Sequence, residues 1–501
     1  MFKNFHGFHI LDAYHKMRQV KKAQRDRLIK KCIQGAIVLI VTLLLWNAPT
    51  SFFGMEGLTV VQQRIIAIFA FATLMWVMEV ASSWATSVAI IGLLLVFCSN
   101  SGIRWLCNPD EVGALLNYKS VMATFADPVI MLFIGGFTLA IAAGKTGLDA
   151  QLAKVLLRPF GTKSEHVLLG FLLITGLFSM FVSNTATAAM MLTFLAPVFK
   201  QLPPEGKGRI AMALSIPVAA NLGGMGTPIG TPPNTIALKY LNDPEGLNMA
   251  LGFGQWMAFM FPLVVVLLFI SWMLLKRVFP FSQKTIQLSI EGEMKRDWHT
   301  YVVIFTFIGT VLLWLLDTWT GINSYTVALI PFVIFSLTGV ITRRDLEEIN
   351  WSVIWMVAGG FALGYGLNAS GLAALAVESI PFGSFSPLFI LIISGLICYA
   401  LSNFISNSAT AALLMPILVV VCSAMDSKLG TIGGTPTVLI GVAIAASSAM
   451  VLPISTPPNA LAFATNLVQQ KDMAKMGLMV GLISMVLGYT LLYVIGQLHL
   501  L

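Results

Sequence analysis

Two short polar triplets interrupt segments that are otherwise apolar: Ser183-Asn184-Thr185 and Ser406-Asn407-Ser408. About 50 residues after each comes the same tetrapeptide, first Thr231-Pro232-Pro233-Asn234 and then Thr456-Pro457-Pro458-Asn459. The triplets lie 223 residues apart and the tetrapeptides 225, so one unit occurs twice. Hydroxyls, amides and unwound main chain can do two kinds of chemistry. Their O–H and N–H groups donate to an anion, a carboxylate above all, and opposed half-helix N-termini would add free N–H groups and positive dipole ends. Their oxygens suit a dehydrated hard cation such as Na+.

The elements that must position these breaks are membrane helices. Of the 501 residues, 57% are hydrophobic and only 10% charged, with a mean hydropathy of +0.85. A soluble domain carries about a quarter charged residues. Many runs here approach the ~20 apolar residues that span a bilayer. In hydrocarbon an unpaired backbone group costs several kcal/mol, so unwound chain survives only where it is enclosed or lines a wet cavity. Four breaks at matching positions in two halves therefore point to a binding site near the midplane. None of the four breaks holds Asp, Glu, Lys, Arg or His. Proton-coupled carriers ordinarily need a titratable intramembrane group, so Na+ is favoured over H+, and dipoles over a guanidinium clamp. The sequence has no metal-ligand spacing, Ser-His-Asp set or phosphate loop, which argues against an enzyme.

Taken in order, residues 1–32 form a basic N-terminal arm, and 33–52 hold the first span. A first repeat covers 53–277, with spans at 63–81, 84–99 and 128–146, a hairpin within 153–200, a broken helix at 210–241 and a return at 254–275. Residues 278–300 are a polar linker. The second repeat, 301–501, has spans at 301–317, 323–341 and 351–369, a hairpin at 385–420, a broken helix at 437–470 and a closing span at 476–498. Basic residues on both sides of 166–199 make that segment re-entrant, with Ser183-Asn184-Thr185 at its tip. With the N-terminus in the cytoplasm, 25 of the 30 Lys and Arg fall on the cytoplasmic side. That agrees with the positive-inside rule. One leading helix plus five crossings per repeat turns the second copy upside down, giving inverted repeats and about 11 transmembrane helices in an all-α polytopic protein.

Other features read as structural. Nine of the Lys and Arg lie in residues 1–31, as expected of a cytoplasmic arm against lipid headgroups rather than a nucleic-acid binder. The five scattered cysteines read as small buried hydrophobes. Gly135-Gly136 and Gly359-Gly360 read as close helix packing, and Glu79 and Lys239 as interfacial or paired charges. A lone break in a membrane helix is more often a packing kink than a site; it is the matched pairing that weakens that reading here.

With these residues in view, the chain resembles the divalent anion/sodium symporter family of dicarboxylate transporters over roughly residues 30–500. The resemblance rests on Ser183-Asn184-Thr185-Ala186-Thr187, Ser406-Asn407-Ser408-Ala409-Thr410, Gly230-Thr231-Pro232-Pro233-Asn234 and Ser455-Thr456-Pro457-Pro458-Asn459. It implies a homodimer with a fixed scaffold and a moving transport domain working as an elevator. By position it implies that Ser183, Asn184 and Thr185 bind one carboxylate and Ser406, Asn407 and Ser408 the other, with Thr456 and Pro457 closing the pocket. The same resemblance implies one Na+ site from Ser179, Ser183, Asn184 and Gly230, and a second from Ser402, Ser406, Asn407 and Ser455. The second triplet often ends in Thr in this family; here Ser408 keeps the hydroxyl and lacks the methyl. The resulting expectation is a Na+-coupled importer of C4-dicarboxylates in the inner or plasma membrane. The alternatives are a Na+-independent exchanger of di- or tricarboxylates and a citrate- or sulfate-preferring relative, and, further off, a channel, an enzyme or a receptor.

Overall fold

The computed structural model describes residues 28–108, 112–203, 205–243, 246–287, 297–379 and 385–498. The basic arm over 1–27 and the charged run of the linker over 291–296 lie outside the described residues. The chain is about 77% helix, and among the described residues the only β pairing is two isolated bridges. Among the described residues, seven helices are long and apolar enough to cross a membrane, and six shorter apolar helices join them.

The principal helices are α1 (Leu28–Asn47), α2 (Val60–Val77), α3 (Ser83–Cys98), α4 (Pro128–Thr146), α5 (Leu148–Leu157), α6 (Ser164–Ser179), α7 (Asn184–Gln201), α8 (Lys207–Gly224), α9 (Pro232–Leu241) and α10 (Phe253–Val278). After the linker come α11 (Trp298–Leu315), α12 (Ser324–Leu337), α13 (Trp351–Ala369), α14 (Pro387–Ser402), α15 (Asn407–Ser423), α16 (Gly434–Ser448), α17 (Pro457–Ala464) and α18 (Gln470–Gln497). The spans expected at 128–146 and 351–369 are α4 and α13 residue for residue. Residues 28–32, inside the expected arm, are already helical; Lys30 and Lys31 can extend their heads toward water while their stems lie along an apolar helix.

Local chemistry explains the helix starts. Thr59 and Gln62 form a capping box on α2. Asp127 accepts from the Val129 N–H, with Pro128 at the first position of α4, where a missing N–H costs nothing. The hairpins start their second arms in the same way, as described below.

The helices pack in two groups. α2, α3, α4, α11, α12 and α13 form one, with α13 against α3 and α12 against α4 as its largest contacts. The hairpin arms, the broken helices, α10 and α18 form the other. Glycines allow the close approaches: Gly135 of α4 abuts the backbone of Ala328 in α12, and Gly359 of α13 abuts Ser87 in α3. The groups meet chiefly where α13 lies on α15, with Gly360 against Ala412. Lys239 of α9 also reaches across, pairing with Asp127 at 3.2 Å and lying 4.9 Å from the Phe361 ring. Glu79 is exposed, in a left-handed turn between α2 and α3. Large apolar side chains such as Leu44, Phe305, Leu396 and Val486 face outward on many helices, the pattern of a lipid-facing surface. Four of the five cysteines are buried and Cys32 is exposed.

Candidate functional site

Each hairpin is two helices that pack on one another across a four-residue break. Ser183 caps α7: its backbone is extended and its Oγ accepts from the Ala186 N–H at 3.3 Å. Ser406 caps α15 identically, accepting from the Ala409 N–H at 3.2 Å. Each hydroxyl therefore satisfies one of the orphan donors at a helix start. Two more remain on each tip. Among the described residues, the N–H groups of Asn184, Thr185, Asn407 and Ser408 meet no acceptor.

The broken helices bring the tips together by crossing over. α9, from the first half, packs on α15 and α16 of the second; α17, from the second half, packs on α7 and α8 of the first. The breaks in α8–α9 and α16–α17 are held open by the tetrapeptide asparagines. Asn234 Nδ2 has the carbonyls of Gly224 (3.0 Å), Met225 (3.3 Å) and Thr227 (2.8 Å) within hydrogen-bond reach of its two protons. Asn459 Nδ2 donates to those of Met450 (2.8 Å) and Leu452 (3.0 Å). These amides replace the helical partners that the unwound carbonyls have lost, which is the condition for irregular chain inside a membrane. A further tie joins each break to the neighbouring hairpin. The Thr227 hydroxyl donates to Met180 O, and the Ser455 hydroxyl donates to Asn403 O at 3.0 Å. Glycine is required here: a Cβ on Gly224 would sit 2.7 Å from the Asn184 amide oxygen, and one on Gly230 would strike the Gly224 backbone.

The result is a cavity of about 450 Å³ lined by both triplets, by Gly230, Thr231 and Pro232, and by Ser455, Thr456 and Pro457. From the other packing group come Ser82, Ser83, Trp84, Gly136, Phe137, Asn350 and Ser352. Among the described residues no lining residue carries a charge, and the volume lies within the ~300–1,000 Å³ of small-molecule sites. All eight residues expected to bind substrate line this one space. Ser179 and Ser402 do not; both are fully buried, one layer behind their tips. Ser179 Oγ is within hydrogen-bond reach of Asn184 Oδ1 (2.7 Å) and Ala220 O (2.8 Å). Asn407 Oδ1 is buried with no partner among the described residues, and Ser402 Oγ has beside it the Cys398 thiol, a weak partner. Oxygens left over in the set Ser402, Ser406, Asn407 and Ser455 fit a cation better than they fit an empty interior.

The expectation that opposed half-helix N-termini offer free N–H groups describes the hairpin tips better than the tetrapeptides. α9 and α17 begin Pro-Pro, which removes two donors from each start, and the Thr456 hydroxyl takes the next one, the Asn459 N–H. The free donors belong to the hairpin tips; the tetrapeptides supply a rigid wall. Sequence reasoning also missed Asn221, Thr227 and Asn403. Asn221 has no partner at the matched position, where Ala446 stands, so comparing the two halves gives no signal for it. The tetrapeptide asparagines were visible as a repeat but without a role.

A second cavity of about 840 Å³ shares Phe137, Ser183, Thr185 and Asn350 with the first and carries Lys145, Asp149, Asp345 and Glu348. Lys145 Nζ lies 2.6 Å from Asp345 Oδ2. Partial burial works against the Asp345 carboxylate, but Lys145 and the Thr342 hydroxyl and N–H outweigh it and hold its pKa below the usual range. Burial pushes the Asp149 carboxyl up.

Residues 73–432 match the citrate transporter family. A sodium-dependent dicarboxylate transporter, SdcS, of Staphylococcus saprophyticus is 30% identical, covering 92% of this chain and 90% of its own. The SdcS of Staphylococcus aureus strain USA300 is 29% identical over 96% of this chain and 94% of its own. The chain belongs to the divalent anion/sodium symporter family of dicarboxylate transporters. Solved structures of more distant proteins share the fold of this family member. The YdaH transporter of Alcanivorax borkumensis superposes with a TM-score of 0.54 at 13% identity, over 83% of this chain and 99% of its own. MtrF of Neisseria gonorrhoeae gives 0.53 at 15%, over 83% and 95%. As a symporter-family chain with many apolar helices, it is a multi-pass membrane transporter.

Proposed function

We propose that this chain is a secondary active transporter that couples Na+ entry to uptake of a C4-dicarboxylate such as succinate, malate or fumarate. One observation carries the reading: two copies of one polar tip face a single uncharged cavity, each with two free backbone N–H groups. A dianion with a carboxylate at each end matches two such tips in charge and in symmetry. Ser183, Asn184 and Thr185 hold one carboxylate, and Ser406, Asn407 and Ser408 the other, while Thr456 and Pro457 wall the space. Charge-assisted bonds from main-chain donors are about twice as strong as neutral ones, so no cationic side chain is needed.

Na+ binds at the back of each tip, one ion near Ser179, Ser183, Asn184 and Gly230 and another near Ser402, Ser406, Asn407 and Ser455. It arrives first, orders the tips and adds positive charge; the dianion follows. The two packing groups support an elevator, in which the hairpins and broken helices carry the loaded cavity past α2, α3, α4, α11, α12 and α13. The protein then works as a homodimer of inverted repeats with 11 crossings and a cytoplasmic N-terminus, in a plasma membrane or a bacterial inner membrane, and performs no covalent chemistry. The names of its staphylococcal relatives favour Na+ and dicarboxylate. The citrate transporter match favours a tricarboxylate as second reading.

Purified protein in liposomes tests both. Labelled succinate should accumulate with an inward Na+ gradient and not with K+, with no need of internal substrate. Competition by malate, fumarate, citrate and sulfate ranks the anions. Uptake that ignores Na+ and requires internal dicarboxylate would replace symport by exchange.

A further inference from the structure

Asn221 lies on α8 just before the first break and is only 2% exposed, yet it borders the substrate cavity. Its Nδ2 donates across the molecule to Thr456 Oγ1 at 3.1 Å and reaches Asn459 Oδ1 at 3.4 Å. The network fixes the orientation of both amides. Asn459 spends its Nδ2 on the carbonyls of Met450 and Leu452, so its Oδ1 must face Asn221 and needs a donor there. The Asn221 nitrogen is that donor, and its second proton goes to Thr456.

Thr456 Oγ1 also accepts from the Asn459 N–H at 3.3 Å. A hydroxyl has two acceptor lone pairs and one proton. With both lone pairs occupied, Thr456 can only donate, and among the described residues its proton has no acceptor. It borders the cavity, where the anion must sit. The matched residue in the first half, Thr231, also lines the cavity, but its side chain makes no capping bond. Ala446 stands where a second Asn221 would be. Only one of the two threonines is preset.

We propose that Asn221 is a positioning residue: it commits the Thr456 hydroxyl to donate to a carboxylate oxygen of the bound anion, and so contributes to selection of the ionised form at that end of the site. This rests on the reading of the cavity as a dicarboxylate site. A carboxylate oxygen gains from an obligate donor, whereas a protonated or esterified end offers a weaker acceptor.

The test is Na+-driven succinate uptake in liposomes by wild type, Asn221→Ala, Asn221→Asp, Thr456→Val and the Asn221→Ala/Thr456→Val pair. Monomethyl succinate serves as competitor, and size-exclusion elution checks folding. Asn221→Ala should raise the KM for succinate about tenfold, the value of one hydrogen bond to a charged group, with kcat within about twofold. Discrimination against the monoester should shrink. Asn221→Asp should do worse, about 100-fold, because its carboxylate captures the Thr456 proton. The double variant should be no worse than Thr456→Val alone, since the two act as one unit. A fall in kcat with unchanged KM, or additive losses in the double variant, overturns the proposal. If Asn221→Ala does not fold, Thr456→Val decides alone: wild-type KM and selectivity in that variant sink the idea. Failure of the wild type to take up any dicarboxylate would overturn the site reading itself, and the proposal with it; normal wild-type uptake with the wrong variant pattern overturns only the role of Asn221.

Discussion

The two hairpin tips have the same cap, the same free N–H groups and the same asparagine, yet they differ one layer behind. At the first tip, the Ser179 hydroxyl lies within reach of Asn184 Oδ1 and Ala220 O and can give its one proton to either, so the back of the site has a donor of its own. At the second, Asn407 Oδ1 is buried and unpartnered among the described residues, and Ser402 Oγ has beside it the weakly bonding Cys398 thiol. A buried polar atom without a partner costs about 1–3 kcal/mol. The first tip is thus preformed, while the second holds unspent electrostatic capacity that a cation would use. Duplicated sequence does not make duplicated energetics: in the absence of the ion, the asparagine oxygen of one hairpin tip has a partner and that of the other is left over.

The largest effect that can break this comparison is loss of either asparagine. Asn184→Ala and Asn407→Ala should each lower succinate uptake at least ~100-fold, because a site built around a polar group fails without it. Their stabilities should then diverge. In Na+-free buffer Asn184→Ala should lose about 0.5–1.5 kcal/mol, the net value of the buried hydrogen bond to Ser179, whereas Asn407→Ala should lose almost nothing. Thermal unfolding in detergent measures both, and equal losses would contradict the asymmetry.

Next in size is the response to Na+. Ser402→Ala should raise the half-saturating Na+ concentration about tenfold, within the usual range for groups that support an ion site, and should remove most of the Na+-induced rise in Tm. Ser179→Ala should change Na+ affinity less, while lowering Tm in the absence of Na+. The reverse order would move the poised site to the first half. The smallest effect concerns Ser408. Ser408→Thr restores the methyl that makes the tips alike, and should shift the KM ratio of succinate to citrate about threefold to tenfold, the lower end of what one methyl is worth in a fitted pocket. No shift at all would mean that the methyl faces away from the anion.

The breaks were legible because capping is local. A serine before a helix start and Pro-Pro at its first positions act through the next few residues, so the triplets and tetrapeptides fall at the helix starts where the sequence suggests. The length and apolarity of the spans were legible for the same reason. Asn221 and Asn403 were not, because their partners lie 235 and 48 residues away and neither stands in a repeated motif.

The sequence by itself therefore determined a membrane-embedded helical chain, its internal duplication, the four polar breaks and the lack of any charge beside them. Which oxygens are satisfied and which are left over was decided only by tertiary structure. Whether Ser402 finds an acceptor, or Thr456 is left one direction for its proton, depends on sub-ångström placement of groups brought together by α9 and α17 crossing between the halves. Composition and periodicity carry no information at that scale.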